Sequence, residues 1–157
     1  VSADNIQSFV VGEHGDSQVI LWSKTKIAGL SIEEYAEINN IKLSEDYFTK
    51  LEDEVRQTAF DVWEMKGPNA YCVALAIADV ARAIIRDEDL ILPVSSLTTL
   101  EGSDEELYIS LPSVINAKGN TKTIHMPMNE QEKEKFESSK TLLKELANQI
   151  KYSGDKQ

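Results

Sequence analysis

Hydrophobic and polar residues follow two different periods along this chain, and the period changes with position. Near the start, an apolar run at 9–11 lies in a predicted strand over 5–11, and extended structure is predicted again over 19–29. The middle of the chain instead predicts helices over 32–38, 44–66 and 70–85, and in the second of these the apolar residues recur three and four positions apart. Strands are predicted next over 90–98, 106–112 and 122–126, followed by an amphipathic helix over 129–152.

Several residues mark the ends of the predicted helices. Ser31, with Glu34 three residues later, matches a capping box, and Ser44 is predicted to cap the long helix that follows. Gly67 ends that helix, and Asn69 can cap the next one.

The helix over 70–85 is apolar on nearly every face except a narrow stripe at Asp79, Arg82 and Arg86. This pattern predicts a helix buried in the middle of the fold. The later strands are separated by the short polar turns EGSDE and KGN, which favour antiparallel pairing. The order of elements predicts an α+β fold, with an antiparallel sheet packed against long helices, rather than a doubly wound parallel sheet.

Composition narrows the class of protein. A chain of 157 residues with 41% hydrophobic residues and no internal repeat predicts a single domain over 1–157. Its formal net charge of −11 argues against nucleic-acid and membrane-surface binding. Cys72 is the single cysteine, and two histidines cannot make a zinc cluster, so we expect a cytoplasmic protein with no metal. No apolar stretch approaches the roughly 18 residues that a membrane span requires.

The motif GEHGDS at 12–17 carries the clearest candidate chemistry. Histidine titrates near neutrality, so His14 is suited to exchange a proton with a hydroxyl or carbonyl group, and the flanking glycines allow a ligand to approach closely. A surface-loop histidine without a catalytic role is the alternative. Catalysis also needs a carboxylate to orient the imidazole; Asp16 is too near in the chain, and no arginine lies nearby in sequence to bind an anionic substrate. These residues therefore supply only part of a catalytic site.

Four segments occur in a characteristic order: FVVGEHGDSQVILWS, VRQTAFDVWEMKGPNAYCVALAIADVARAII, LPVSSLTTLEG and LYISLPSVINAKG. From about residue 5 to residue 152, the chain closely resembles the C-terminal, substrate-binding part of the L-lactate and L-2-hydroxyacid dehydrogenases of the lactate/malate dehydrogenase superfamily. The resemblance implies that His14 is the proton donor and acceptor for a 2-hydroxy/2-keto acid pair. It also implies NAD as the cofactor.

The resemblance assigns three further residues. Asn69 stands where family members usually carry a threonine that faces substrate and nicotinamide, with a purely capping role as the alternative. Val73 would form an apolar wall near the nicotinamide, and Ala59 would line the pocket for the substrate side chain. By periodicity alone, Val73 and Ala59 are equally ordinary core residues.

The family's remaining catalytic parts are expected upstream of Val1: the Rossmann NAD-binding domain, the carboxylate that orients the histidine and two substrate-binding arginines. The sequence contains no GxGxxG fingerprint. We therefore expect the C-terminal half of an NAD-dependent L-2-hydroxyacid dehydrogenase that forms a homo-oligomer and is inactive as an isolated half. A malate dehydrogenase, which GEHGDS disfavours, and a non-catalytic oligomerisation module are the alternatives.

Two departures from the family bear on substrate and regulation. VILWS lacks a proline that many lactate dehydrogenases have, a feature shared with L-2-hydroxyisocaproate dehydrogenases, which favours an acid larger than lactate. The strand before GEHGDS has no histidine, which argues against activation by fructose 1,6-bisphosphate.

Overall fold

The computed structural model describes residues 1–44, 46–100 and 105–154, with side chains as far as Ile150. In chain order the strands and helices are β1 (Ile6–Gln7), β2 (Val10–Val11), β3 (Val19–Ile20), β4 (Lys26–Ile27), β5 (Leu30–Ser31), α1 (Ile32–Ile38), α2 (Tyr47–Lys66), α3 (Ala70–Arg86), β6 (Leu90–Thr99), β7 (Glu106–Asn116), β8 (Gly119–Thr123) and α4 (Glu130–Gly154).

Every strand pair in the described residues is antiparallel, which confirms the predicted α+β class. The predicted single sheet is instead divided into three small sheets of order β1-β4-β5, β2-β3 and β6-β7-β8. A backbone pair between Gly12 and Ser110 joins the end of β2 to β7. The predicted strand over 5–11 is interrupted because the chain changes partners, from β4 to β3, and the Phe9 carbonyl accepts a hydrogen bond from the Leu21 N–H there.

The long hairpin of β6 and β7 supplies one wall of the core. Side chains alternate along it, and Leu107, Ile109 and Leu111 of β7 point inward. They pack with Val11, Val19 and Leu21 from the first half of the chain, and Phe136 and Leu143 of α4 cover this cluster. Each fully buried aliphatic side chain of this kind stabilises the fold by about 1.5–3 kcal/mol.

The last strand differs from the prediction for a local reason. The turn after Asn116 brings Gly119 directly opposite Asn116, so β8 runs over Gly119–Thr123 rather than 122–126. Gly119 has φ +87°, a conformation that favours glycine at this turn. The Ile124 N–H still donates to the Pro112 carbonyl, but the chain then leaves the sheet toward α4.

Capping interactions set the starts of α1 and α4. The Ser31 hydroxyl accepts a hydrogen bond from the Glu34 N–H while the Glu34 carboxylate accepts one from the Ser31 N–H, and these bonds lower the pKa of Glu34. Asn129 and Glu132 form the same reciprocal pair at α4. The long helix predicted over 44–66 is present, but it begins after Asp46 and not at Ser44.

Ser44 does not cap α2, because its hydroxyl instead donates to the Asp46 carboxylate at 2.6 Å.

The prediction that the helix over 70–85 is buried is wrong. Ala83 is the only residue of α3 that is buried, whereas Leu75 and Ile77 are 69% and 63% exposed. On α2, Phe60 and Trp63 are also exposed. The chain bends by 120° between the two helices, and much of their apolar surface is exposed within the part of the chain that the structure describes.

The helices of the described segments differ from membrane spans in length and composition. None of them is long and apolar enough to cross a bilayer by itself; α2 and α3 reach the required length and composition only as a sharply bent pair.

Candidate active site

The GEHGDS motif forms the loop between β2 and β3. These strands pair through Val10 with Ile20 and Val11 with Val19, so both ends of the loop are fixed by the sheet. The loop is also held by β7, because Gly12 exchanges two backbone hydrogen bonds with Ser110, at 2.9 and 3.1 Å. His14 therefore projects from a loop whose backbone is anchored on two sides.

Glu13 stabilises the shape of this loop and does not project toward solvent as a free base. Its carboxylate accepts hydrogen bonds from the Ser17 N–H at 3.1 Å and the Ser17 hydroxyl at 2.5 Å. A Cβ at position 15 would overlap that carboxylate, so Gly15 leaves the space that it occupies. The motif residues Glu13, Gly15 and Ser17 thus build the turn that presents His14.

The His14 side chain is exposed at an open cavity of about 310 Å³ between the loop and α2. The cavity is lined by His14, Gly15, Asp16, Gln18, Val55, Arg56, Ala59 and Phe60. Among the described residues, none forms a hydrogen bond or ion pair with the imidazole. An exposed imidazole of this kind can exchange a proton with a ligand that enters the cavity.

Nearly the whole chain matches one known protein family. Residues 1–153 match the family model described as lactate/malate dehydrogenase, alpha/beta C-terminal domain. The chain belongs to the lactate/malate dehydrogenase family. The resemblance carried by GEHGDS and the later segments is thereby confirmed.

Named relatives of this dehydrogenase domain are L-lactate dehydrogenases. L-lactate dehydrogenase 1 of Clostridium acetobutylicum is 37% identical over 150 residues, which are 96% of this chain and 48% of that protein. L-lactate dehydrogenase 1 of Enterococcus faecalis is 36% identical and is matched over 44% of its length. The chain therefore spans about half the length of the curated relatives that it matches.

Solved structures agree with this assignment. The crystal structure of the minor L-lactate dehydrogenase from Enterococcus mundtii superposes with a TM-score of 0.86 and 29% identity, over 96% of this chain and 48% of that one. A lactate dehydrogenase from a deep-sea metagenome library gives a TM-score of 0.82 with 26% identity, over 92% of this chain and 46% of that chain.

Of the four residues that the sequence singles out, the structure brings two together. Ala59 lies on α2 and lines the same cavity as His14. Asn69 and Val73 lie at the start of α3 and do not line that cavity. Val73 is 55% exposed on the open apolar face of α3, so it is not an ordinary core valine.

Asn69 occupies the N-cap position of α3, but its side chain makes no capping hydrogen bond. Its Oδ1 atom is buried and has no hydrogen-bond partner among the described residues. A buried acceptor without a partner costs free energy, about 1–3 kcal/mol, unless a ligand or another chain supplies a donor. The Asn69 side chain therefore does not perform the capping role that was the alternative to a role in the pocket.

Sequence reasoning overlooked an arginine at the site. Arg56 is 42 residues from His14 in the chain, but it lines the same cavity, and its Nε donates to the Asp16 carbonyl at 3.1 Å. Helical spacing was the available signal, because Arg56 and Ala59 are three residues apart and share one face of α2. Its guanidinium also pairs with Asp53 at 3.1 Å and Glu52 at 3.6 Å on the same helix, and its bond to Asp16 ties the loop to that helix.

Glu52, one turn before Arg56 on α2, anchors this helix to other elements and was not predicted either. The nearly buried carboxylate accepts hydrogen bonds from Trp22 Nε1 at 2.8 Å and from Lys135 Nζ at 2.7 and 2.9 Å. Burial raises the pKa of Glu52, but the bonds from Lys135 and Trp22 and the charges of Lys135 and Arg56 outweigh it and lower the pKa. Glu52 thus connects α2 with α4 and with the segment after β3.

Within residues 1–44, 46–100 and 105–154, no group of three or more His, Cys, Asp or Glu side chains is arranged to hold a metal ion.

Proposed function

We propose that this chain is the substrate-binding half of an NAD-dependent L-2-hydroxyacid dehydrogenase of the L-lactate dehydrogenase type, which interconverts a 2-hydroxy acid and a 2-keto acid. The observation that carries this proposal is the position of His14. Its exposed imidazole projects from an anchored loop into a cavity that Ala59 also lines, in a member of the lactate/malate dehydrogenase family.

In the proposed reaction, neutral His14 accepts the proton of the substrate hydroxyl as the bond between carbon and hydride breaks, and it returns the proton in the reverse direction. NAD, when bound, would supply the hydride acceptor. Ala59 leaves room in the cavity for the substrate side chain. Arg56 contacts the Asp16 carbonyl and so keeps the cavity wall formed by α2 next to the loop.

The residues present fit one part of the cofactor. The exposed apolar surface of Val73 can pack against the nicotinamide ring, and a rotation of the Asn69 side chain would let its unpartnered Oδ1 accept a hydrogen bond from an amide or hydroxyl group. For the rest of the cofactor, the sequence holds no GxGxxG fingerprint. We therefore propose that the adenine, ribose and diphosphate groups bind to a separate nucleotide-binding domain of the complete protein.

A second proposal concerns assembly. The apolar faces of α2 and α3 expose Phe60, Trp63, Leu75 and Ile77, and large exposed apolar patches mark contact surfaces. We propose that the nucleotide-binding domain and a second copy of the protein cover these faces. Homo-oligomer formation and a cytoplasmic location stay predictions.

The proposed function is tested by replacing His14 in the full-length enzyme. His14→Asn keeps a hydrogen-bonding side chain but removes the proton acceptor, so kcat should fall by about 10²–10⁴-fold while NADH binding is nearly unchanged. His125→Asn is the matched control, because His125 is exposed and lines a different cavity. Steady-state rates with L-lactate, L-2-hydroxyisocaproate and L-malate also identify the preferred acid; wild-type turnover in His14→Asn would overturn the assignment.

A further inference from the structure

Ser139 lies on α4, 126 residues after Glu13, yet it contacts the GEHGDS loop directly. Its side chain is fully buried, and its Oγ accepts a hydrogen bond from the Glu13 N–H at 2.7 Å. The next residue is His14. The hydrogen bond therefore holds the backbone at the position from which the imidazole projects.

The loop leaves space for this hydroxyl. Gly12 has φ +91°, which L side chains rarely adopt, and a Cβ placed on it would lie 2.6 Å from Ser139 Oγ. The hydroxyl and a side chain at position 12 would thus compete for the same space. Gly12 is required on two grounds, the backbone conformation and the close approach of α4.

Ser139 also closes a small polar network inside the loop. Its Oγ lies 3.2 Å from the Ser17 Oγ, and the Ser17 hydroxyl bonds to the Glu13 carboxylate. The three residues Glu13, Ser17 and Ser139 therefore hold the two halves of the loop on either side of His14. In a buried network, removing one member leaves the others without partners.

We propose that Ser139 is a positioning residue for the reaction at His14. It does not line the cavity; it fixes the backbone of the loop from the side of α4, so that the imidazole keeps one position relative to the substrate. This inference rests on the proposed function. Its reason is geometric, because a displacement of about 1 Å in a reacting group can lower the rate by about 10²-fold.

The test uses the full-length enzyme with three variants. Ser139→Ala removes the acceptor of the Glu13 N–H, Ser139→Cys keeps a weaker acceptor of similar shape, and Ser138→Ala is the control, because Ser138 is the exposed neighbour on the same helix. We expect kcat to fall by about 10–100-fold in Ser139→Ala with KM changed less than about threefold, and to fall less in Ser139→Cys. Ser138→Ala should match wild type in both constants.

Amide hydrogen exchange gives a second readout that does not depend on turnover. The Glu13 amide should exchange faster in Ser139→Ala than in wild type, while amides in β7 keep their wild-type rates. Unchanged kcat in Ser139→Ala, or an equal loss in Ser138→Ala, would overturn the inference. If Ser139→Ala does not fold, Ser139→Cys decides: a lower kcat together with faster exchange of the Glu13 amide supports the role, and wild-type kcat with a fast-exchanging Glu13 amide overturns it.

Failure of the proposed function is distinguishable from failure of this inference. Wild-type enzyme that turns over none of the 2-hydroxy acids would refute the proposed function and, with it, the catalytic consequence of Ser139. Wild-type enzyme that is active while Ser139→Ala is equally active would refute the inference alone.

Discussion

Replacing Glu52 by Gln should destabilise the domain and change its response to acid. The carboxylate is 6% exposed and receives three hydrogen bonds, one from Trp22 and two from Lys135. Hydrogen bonds to a charged group contribute about 1.5–3 kcal/mol each when fully buried. Lys135 is 47% exposed, so solvent weakens the contribution of its two hydrogen bonds to stability. A glutamine at position 52 keeps an oxygen that can still accept the hydrogen bond from Trp22.

We therefore expect Glu52→Gln to lower the free energy of unfolding by about 1–3 kcal/mol at pH 7. In a chain of this size that loss corresponds to a decrease in Tm of about 2–10 °C. Urea unfolding followed by tryptophan fluorescence measures it, since Trp22 bonds directly to Glu52. Glu54→Gln is the control, because Glu54 is exposed on the same helix and its replacement should change stability by less than about 0.5 kcal/mol.

The pH dependence follows from the direction of the pKa shift. The folded protein holds the pKa of Glu52 below its ordinary value of 4.5, so the contribution of the charged carboxylate is complete above pH 4.5 and is lost as the pH falls through the folded pKa. The stability difference between wild type and Glu52→Gln should therefore shrink below pH 4.5. Equal urea midpoints at pH 7, or a difference that grows on acidification, would refute this account of the carboxylate.

Two further predictions concern catalysis. The chain alone should produce no NADH from lactate or 2-hydroxyisocaproate with NAD, because hydride transfer requires both carbons to be held in register by the complete protein; NADH formation by the purified chain in an absorbance assay would contradict this division of the site. In the full-length enzyme, Arg56→Gln should raise KM for the hydroxy acid several-fold, because it removes the Nε bond to the Asp16 carbonyl that holds α2 against the loop. Arg86→Gln, at the exposed end of α3, is its control and should leave KM unchanged.

Local sequence signals predicted the parts of the fold that depend on neighbouring residues. The capping box of Ser31 and Glu34 is formed as expected, and the helix predicted to begin at 129 is capped by the reciprocal pair of Asn129 and Glu132, because each pair is closed within three residues. The break within the predicted strand over 5–11 was not predictable from its composition. It depends on which distant strands are available as partners, β4 for the first part and β3 for the second.

In the candidate site too, the local sequence predicted one part and the distant contacts were not predictable. The motif identifies His14, and its glycines indicate a tight loop, but the supports of that loop come from far along the chain. Ser139 is an ordinary polar position of an amphipathic helix, and only the fold shows that its hydroxyl accepts the Glu13 N–H. Arg56 likewise has no neighbour in sequence that relates it to the loop, although helical spacing places it beside Ala59.

The exposed face of α3 was predicted to be covered, but the apolar pattern did not identify what covers it. Apolar residues on nearly all sides of a helix indicate that the helix is covered, but they do not indicate which chain or domain covers it. The predicted burial of α3 required covering residues within this chain, whereas Leu75 and Ile77 are open to solvent. Because the chain spans about half the length of its relatives, the same apolar surface that contradicts the prediction supports the proposal that another domain or a second copy packs against α2 and α3 in the complete enzyme.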